Sequence, residues 1–293
     1  MNREFTLANK KPPESFETKK KKSFKQKPVV SFCIVLGLAL SCLMCELFMP
    51  KDPTYMDLYN ANVSPCGEFL FGTDTMGRDI FSMIFYGGRI SLLTGFLSTA
   101  ISVVIAIIFG ALSGLAPKWL DDLLMRFTEI VLSIPNLLLV ILIQAILGKA
   151  NVLSISFVIG ITGWTSMAKV IRSEVRQIRN SEYIIAAKCM GASFFRIVFK
   201  HLAPNFVSSI MFMVVMNIRS AIISESTLSF IGIGLPLEII SWGSMLSLAE
   251  KSLLSGSWWI ILVPGLFLVL TLVCITNIGN YLQKSANKSQ SNL

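Results

Sequence analysis

The chain has 293 residues, is 53% hydrophobic with a mean hydropathy of +0.67, and carries a net charge of +9. Soluble domains are less apolar than this. The distribution of the excess points away from a water-soluble fold, and the placement of the basic residues points away from nucleic acid.

A basic tail, residues 1–28, comes first, with Lys19 to Lys22 in one run. An apolar stretch follows from Val29 to Cys45. It is too long for a signal-peptide core, and no small-x-small cleavage site follows it, so an uncleaved first helix is predicted. Uncharged stretches recur at Ile90 to Pro117, Ile130 to Gly148, Ala150 to Ala168, Leu202 to Ile218 and Ser252 to Gln283. About 20 consecutive apolar residues cross a bilayer as a helix. Helices of a soluble core show one apolar stripe, whereas these are apolar all round. Six transmembrane helices in an all-α membrane protein are therefore predicted over residues 29–283, with a tail at 284–293. Helix three is expected to contain Pro135, and helix six Pro264.

Orientation follows from charge. With the N-terminus inside, twenty Lys and Arg residues fall on the cytoplasmic side and five outside, leaving Arg219 within a span. That asymmetry obeys the positive-inside rule, so both termini are predicted to be cytoplasmic. The net charge is accounted for by the bilayer and needs no nucleic acid.

Two connections are longer than the usual 4–6 residues, and long loops tend to carry function. One is the outer segment 49–88; the other is the cytoplasmic segment 170–204. In the latter, Asn180 or Ser181 can cap a helix, Ala186 and Ala187 keep one face small, and Gly191 suits a helix end. Ser193 can cap a second short helix, with Phe194, Ile197 and Val198 on one side and Arg196 and Lys200 on the other. The pattern predicts a helix-turn-helix under the membrane that docks into a protein groove or lies on lipid headgroups.

The run Ala186-Ala187, then Gly191, then His201 and Pro204 resembles the cytoplasmic loop of ABC importer permeases. The resemblance extends to Phe71 to Asp79, Tyr86 to Leu92, Asp122 to Arg126, Ser133 to Pro135, Leu228 to Gly234 and Ser241 to Leu246. These runs are similar to the peptide/nickel branch, in particular to the C-type permease of dipeptide, oligopeptide and nickel importers. Two positions depart from the family pattern: Ile185 replaces an acidic residue, and Gly279-Asn280 replaces Gly-Asp. The resemblance implies a type I importer permease fold in a bacterial inner membrane. It implies a second homologous permease, two ATPase subunits and an extracytoplasmic binding protein as partners. It places Tyr183, Ala186, Ala187, Gly191, His201 and Pro204 in ATPase coupling. Gly72, Thr73, Asp74, Gly77, Arg78 and Asp79 form its outer-loop motif.

No phosphate-binding Gly-rich loop is present, so ATP is expected to be used by the partner ATPases and no cofactor by this chain. One His cannot make a His-rich metal site, and Cys42 and Cys45, spaced as CxxC within an apolar helix, read as packing residues; no metal site and no catalytic cluster are expected. Within helix five, Asn217, Arg219 and Glu225 are the candidates for the translocation path, because intramembrane ionisable groups commonly face a pathway or a partner. Peptides, nickel or metal–chelator complexes are the candidate cargoes. A secondary transporter or channel is the alternative, which would leave the docking loop without a purpose.

Overall fold

The computed structural model describes residues 28–179, 181, 184, 190, 203–250 and 256–290. Within them the chain is helical: α1 (Val29–Leu43), α2 (Cys45–Phe48), α3 (Ile80–Leu115), α4 (Lys118–Ser133), α5 (Asn136–Leu147), α6 (Val152–Thr162), α7 (Thr165–Arg179), α8 (Ala203–Phe230), α9 (Trp242–Glu250) and α10 (Trp259–Gln290). Three of these, α3, α8 and α10, contain stretches long and apolar enough to cross a membrane; the number rises to five if α4 with α5 and α6 with α7 each count as one broken span.

The central element is α3. Its 36 residues extend about 54 Å, well beyond the bilayer's ~30 Å hydrocarbon core. It starts at Ile80, ten residues before the uncharged stretch. The reason is local: the Asp79 carboxylate caps the helix by accepting from the Ser82 N–H and hydroxyl, at 2.9 and 2.6 Å. The outer segment predicted as 49–88 therefore ends in two turns of helix.

Helix three does not run through Pro135. The ring restricts the residue before it, and Ile134 is extended (φ −92°, ψ 129°). The result is a 90° bend between α4 and α5. The predicted fourth span bends as well, by 46° at Gly163-Trp164. Trp164 is buried there, its ring centred 4.4 Å from Phe109 of α3 and 6.5 Å from Phe127 of α4. Beyond the bend, α7 continues to Arg179, so residues 170–179 of the predicted cytoplasmic segment are helix. Pro264 lies inside α10, as predicted.

Apolar packing forms three cores. Ala106, Trp164, Met167, Ile171 and Val175 join α3 to α7. Met83 and Ile84 of α3 meet Trp242 and Met245 of α9 and Trp259 of α10. Val140, Ile155 and Val158 join α5 to α6, with Ala221 and Leu228 of α8 against them. α3 and α7 pack with their backbones close together. A Cβ on Gly110 would lie 2.7 Å from the Ala168 carbonyl oxygen, and one on Gly114 2.7 Å from Val175. This is small-xxx-small packing, which brings backbones together where lipid supplies no hydrophobic drive.

Candidate functional site

Before the start of α3, the motif residues fold into one buried knot. Asp74, Arg78 and Asp79 are each no more than 3% exposed and Thr73 is fully buried. The Asp74 carboxylate accepts from the backbone N–H groups of Met76 and Arg78 and from Arg78 Nε, and pairs with Arg78 Nη2 at 2.7 Å. The Thr73 hydroxyl donates to the Asn60 carbonyl and accepts from the Val63 N–H at 2.8 Å. Its carbonyl accepts from the Trp259 indole at 3.1 Å. Gly72 and Gly77 have positive φ, and at Gly77 a Cβ would fall 1.7 Å from the Asp57 carbonyl oxygen. The six motif residues thus come together as a brace between the segment 49–79, the start of α3 and α10. Earlier in the same segment, the exposed Asp52 carboxyl is held below the usual carboxylate range by the Thr54 hydroxyl and backbone N–H.

The three candidates on α8 do not share one environment. Asn217 accepts from the Thr99 hydroxyl at 3.2 Å and donates to the Gly163 carbonyl at 3.0 Å, tying α8 to α3 and to the α6–α7 bend. Glu225 is fully buried. Its carboxylate accepts from the hydroxyls of Ser241 (2.8 Å), Ser229 (3.0 Å), Ser91 (3.2 Å) and Ser226 (3.4 Å). Ser91 in turn accepts from the Trp242 N–H. The cage therefore joins α3, α8 and the start of α9. Arg219 is half-buried and has no ion-pair partner among the described residues. It lies about 200° round the helix from Asn217.

The opposite end of α3, where it meets α4 and α7, holds a cluster that sequence reasoning missed. Asp121, fully buried in the first turn of α4, receives a two-bond fork from Arg172 of α7, with Nη2 at 2.6 Å, together with Arg176 Nη2 and the Ser113 hydroxyl of α3. Arg179 Nη1 donates to the Gly114 carbonyl at 2.9 Å. A shallow pocket of about 380 Å³ beside the cluster is lined by Pro117, Lys118, Asp122, Arg176 and Arg179. The available signal was the Arg172/Arg176 pair, four residues apart and so on one helix face.

Of the predicted coupling residues, Tyr183, Ala186, Ala187, Gly191 and His201 lie outside the described residues. Pro204 stands in the first turn of α8, where its missing N–H costs no helical bond. Among the described residues no group of three or more His, Cys, Asp or Glu side chains could hold a metal ion.

A bundle of apolar helices built round one long helix, with two sharply bent helix pairs, defines a multi-pass membrane protein. The chain is similar to a chain from a structure of the inward-facing MetNI methionine ABC transporter, with a TM-score of 0.55 and 16% identity, covering 70% of this chain and 96% of that one; the likeness is one of fold. Residues 102–288 match the family described as the binding-protein-dependent transport system inner membrane component, and this chain belongs to that family. It is 35% identical to the dipeptide transport system permease protein DppC of Bacillus subtilis, over 85% of this chain and 78% of that protein. It is 34% identical to the oligopeptide transport system permease protein OppC of the same organism, over 86% and 80%. With OppC of Haemophilus influenzae the identity is 34%, over 90% and 85%.

Proposed function

We propose that this chain is one of two homologous permeases of an ATP-driven importer of small peptides in a bacterial inner membrane. The observation that carries the reading is the 34–35% identity, sustained over 85–90% of the chain, with permeases named for dipeptide and oligopeptide transport. In this reading the chain crosses the membrane six times, with α1 as the first crossing and both ends in the cytoplasm. An extracytoplasmic binding protein delivers the peptide to the outer side. The segment after α7 docks on an ATPase through Tyr183, Ala186, Ala187, Gly191, His201 and Pro204. ATP is bound and split by two separate ATPase subunits, and this chain needs no cofactor. Closure of the ATPase pair switches the helix bundle between two openings by rigid-body movement. Arg219 faces the path, where its guanidinium suits a cargo carboxylate.

Cells lacking the gene provide the test. They are expected to lose uptake of labelled di- and oligopeptides and to keep uptake of nickel, and an ATPase subunit is expected to co-purify with the tagged chain. Intact peptide uptake with lost nickel uptake would transfer the reading to metal or metal–chelator cargo. An active chain without an ATPase partner would favour a secondary transporter. Topology is checked with the exposed Cys66: membrane-impermeant thiol reagents should label it from outside and should not reach Cys189.

A further inference from the structure

We propose that Asp121 is the positioning residue that makes α4 follow the movement of the segment docked on the ATPase. The inference rests on the coupling role given above to the residues after α7.

The geometry has three parts. First, α7 and α3 form one body. Gly110 and Gly114 leave room only for the α7 backbone and the side chains of Ile171 and Val175, and Arg179 bonds the Gly114 carbonyl. The docking segment continues directly from the end of α7, so force on it reaches this body first.

Second, α4 is an arm with few buried residues, its apolar hold on the body being mainly the Phe127 ring stacked near Phe109 and Trp164. Its buried residues are Asp121, Met125 and Thr128, while Trp119, Leu123, Phe127 and Ile130 remain exposed. The arm joins the body at the extended Ala116-Pro117 elbow and ends at the 90° break before Pro135. Both joints can absorb a change in angle.

Third, the arm's buried ion-paired contact with the body lies at one point. Asp121 holds two arginines of α7 and a serine of α3 at once. The other ion pair between the two helices among the described residues, Lys169 with Glu129 at 3.7 Å, is exposed on both sides, and pairs of that kind contribute little. With the Asp121 contact intact, rocking of the α3–α7 body carries α4 with it. Without it, α7 can respond to the ATPase while α4 lags, and ATP is split without delivery of cargo.

The test uses the assembled complex in proteoliposomes with its binding protein and a labelled peptide. The readout is peptide delivered per ATP hydrolysed, a ratio that does not depend on how much complex assembles. Asp121→Asn keeps the shape and an acceptor for Ser113 but removes the charge that holds Arg172 and Arg176. It is expected to lower the ratio about fivefold, within the range by which single residues alter coupling, while ATP turnover persists. Arg176→Gln removes one cation, leaves the Arg172 fork in place and should give a smaller drop. Arg176 is 40% exposed, so this variant remains informative if Asp121→Asn fails to assemble. An unchanged ratio in both variants, with transport and ATP hydrolysis falling together, would overturn the proposal and make the cluster a folding staple. Failure of the wild-type chain to assemble with any ATPase would count against the functional reading instead.

Discussion

Replacing Asp74 by Ala should open the brace before α3, and the size of the effect follows from what the carboxylate holds. Asp74 and Arg78 pair at 2.7 Å with side chains only 3% and 4% exposed. Removing one partner of a buried pair leaves the other charge stranded, at a cost of about 3–5 kcal/mol. The change also frees two backbone N–H groups that Asp74 caps. At about 1.4 kcal/mol per factor of ten, the opened population of the segment rises by roughly two to three and a half orders of magnitude. Hydrogen exchange on the purified complex reads this at the amides of Asn62, Thr73 and Asp74, which bond the carbonyls of Asp74, Val63 and Arg78. Those amides are expected to speed up by that factor, with the spanning part of α3 unchanged. Asp74→Ala combined with Arg78→Met removes the stranded charge and should bring exchange back to within about tenfold of wild type. Unchanged exchange in the single variant, or a double variant as fast as the single one, would refute the argument and leave the motif as a recognition surface.

The other predictions are brief. Gly77→Ala should disrupt the same brace, at about 3 kcal/mol or more, because φ is +74° and the new Cβ meets the Asp57 carbonyl; Gly37→Ala in α1, where nothing lies within 4 Å, should leave exchange in the brace unchanged. Glu225→Ala leaves four serine hydroxyls without their acceptor and should destabilise the complex by about 2–4 kcal/mol in thermal unfolding; lost uptake with unaltered stability would place Glu225 in contact with cargo. Arg219→Ala should lower peptide uptake while assembly and melting temperature are kept; impaired assembly would show instead that the guanidinium pairs with a carboxylate of the partner permease.

Contiguous apolarity was legible in the sequence because the bilayer acts as a solvent on each segment separately. An uncharged run such as Ile90 to Pro117 belongs in lipid whatever its neighbours do. The run from Gly72 to Asp79 was singled out by its resemblance to a family motif, and only part of what holds it is local: Asp74 meets Met76 and Arg78, and Asp79 caps α3, while Thr73 relies on Asn60, Val63 and the distant Trp259. The course of the broken spans was not legible. Pro135 announces a perturbation, yet a proline in an apolar helix can produce a kink or a full break, and neighbouring helices determine which. At Trp164 the bend depends on Phe109 and Phe127, rings supplied by two other helices. The buried polar centres were hidden most completely. Asp121 meets arginines 51 and 55 residues away, and Glu225 meets Ser91 134 residues away. A buried charge must find its partners in the folded chain, and only the packing of α3 against α4, α7 and α8 determines which residues those are.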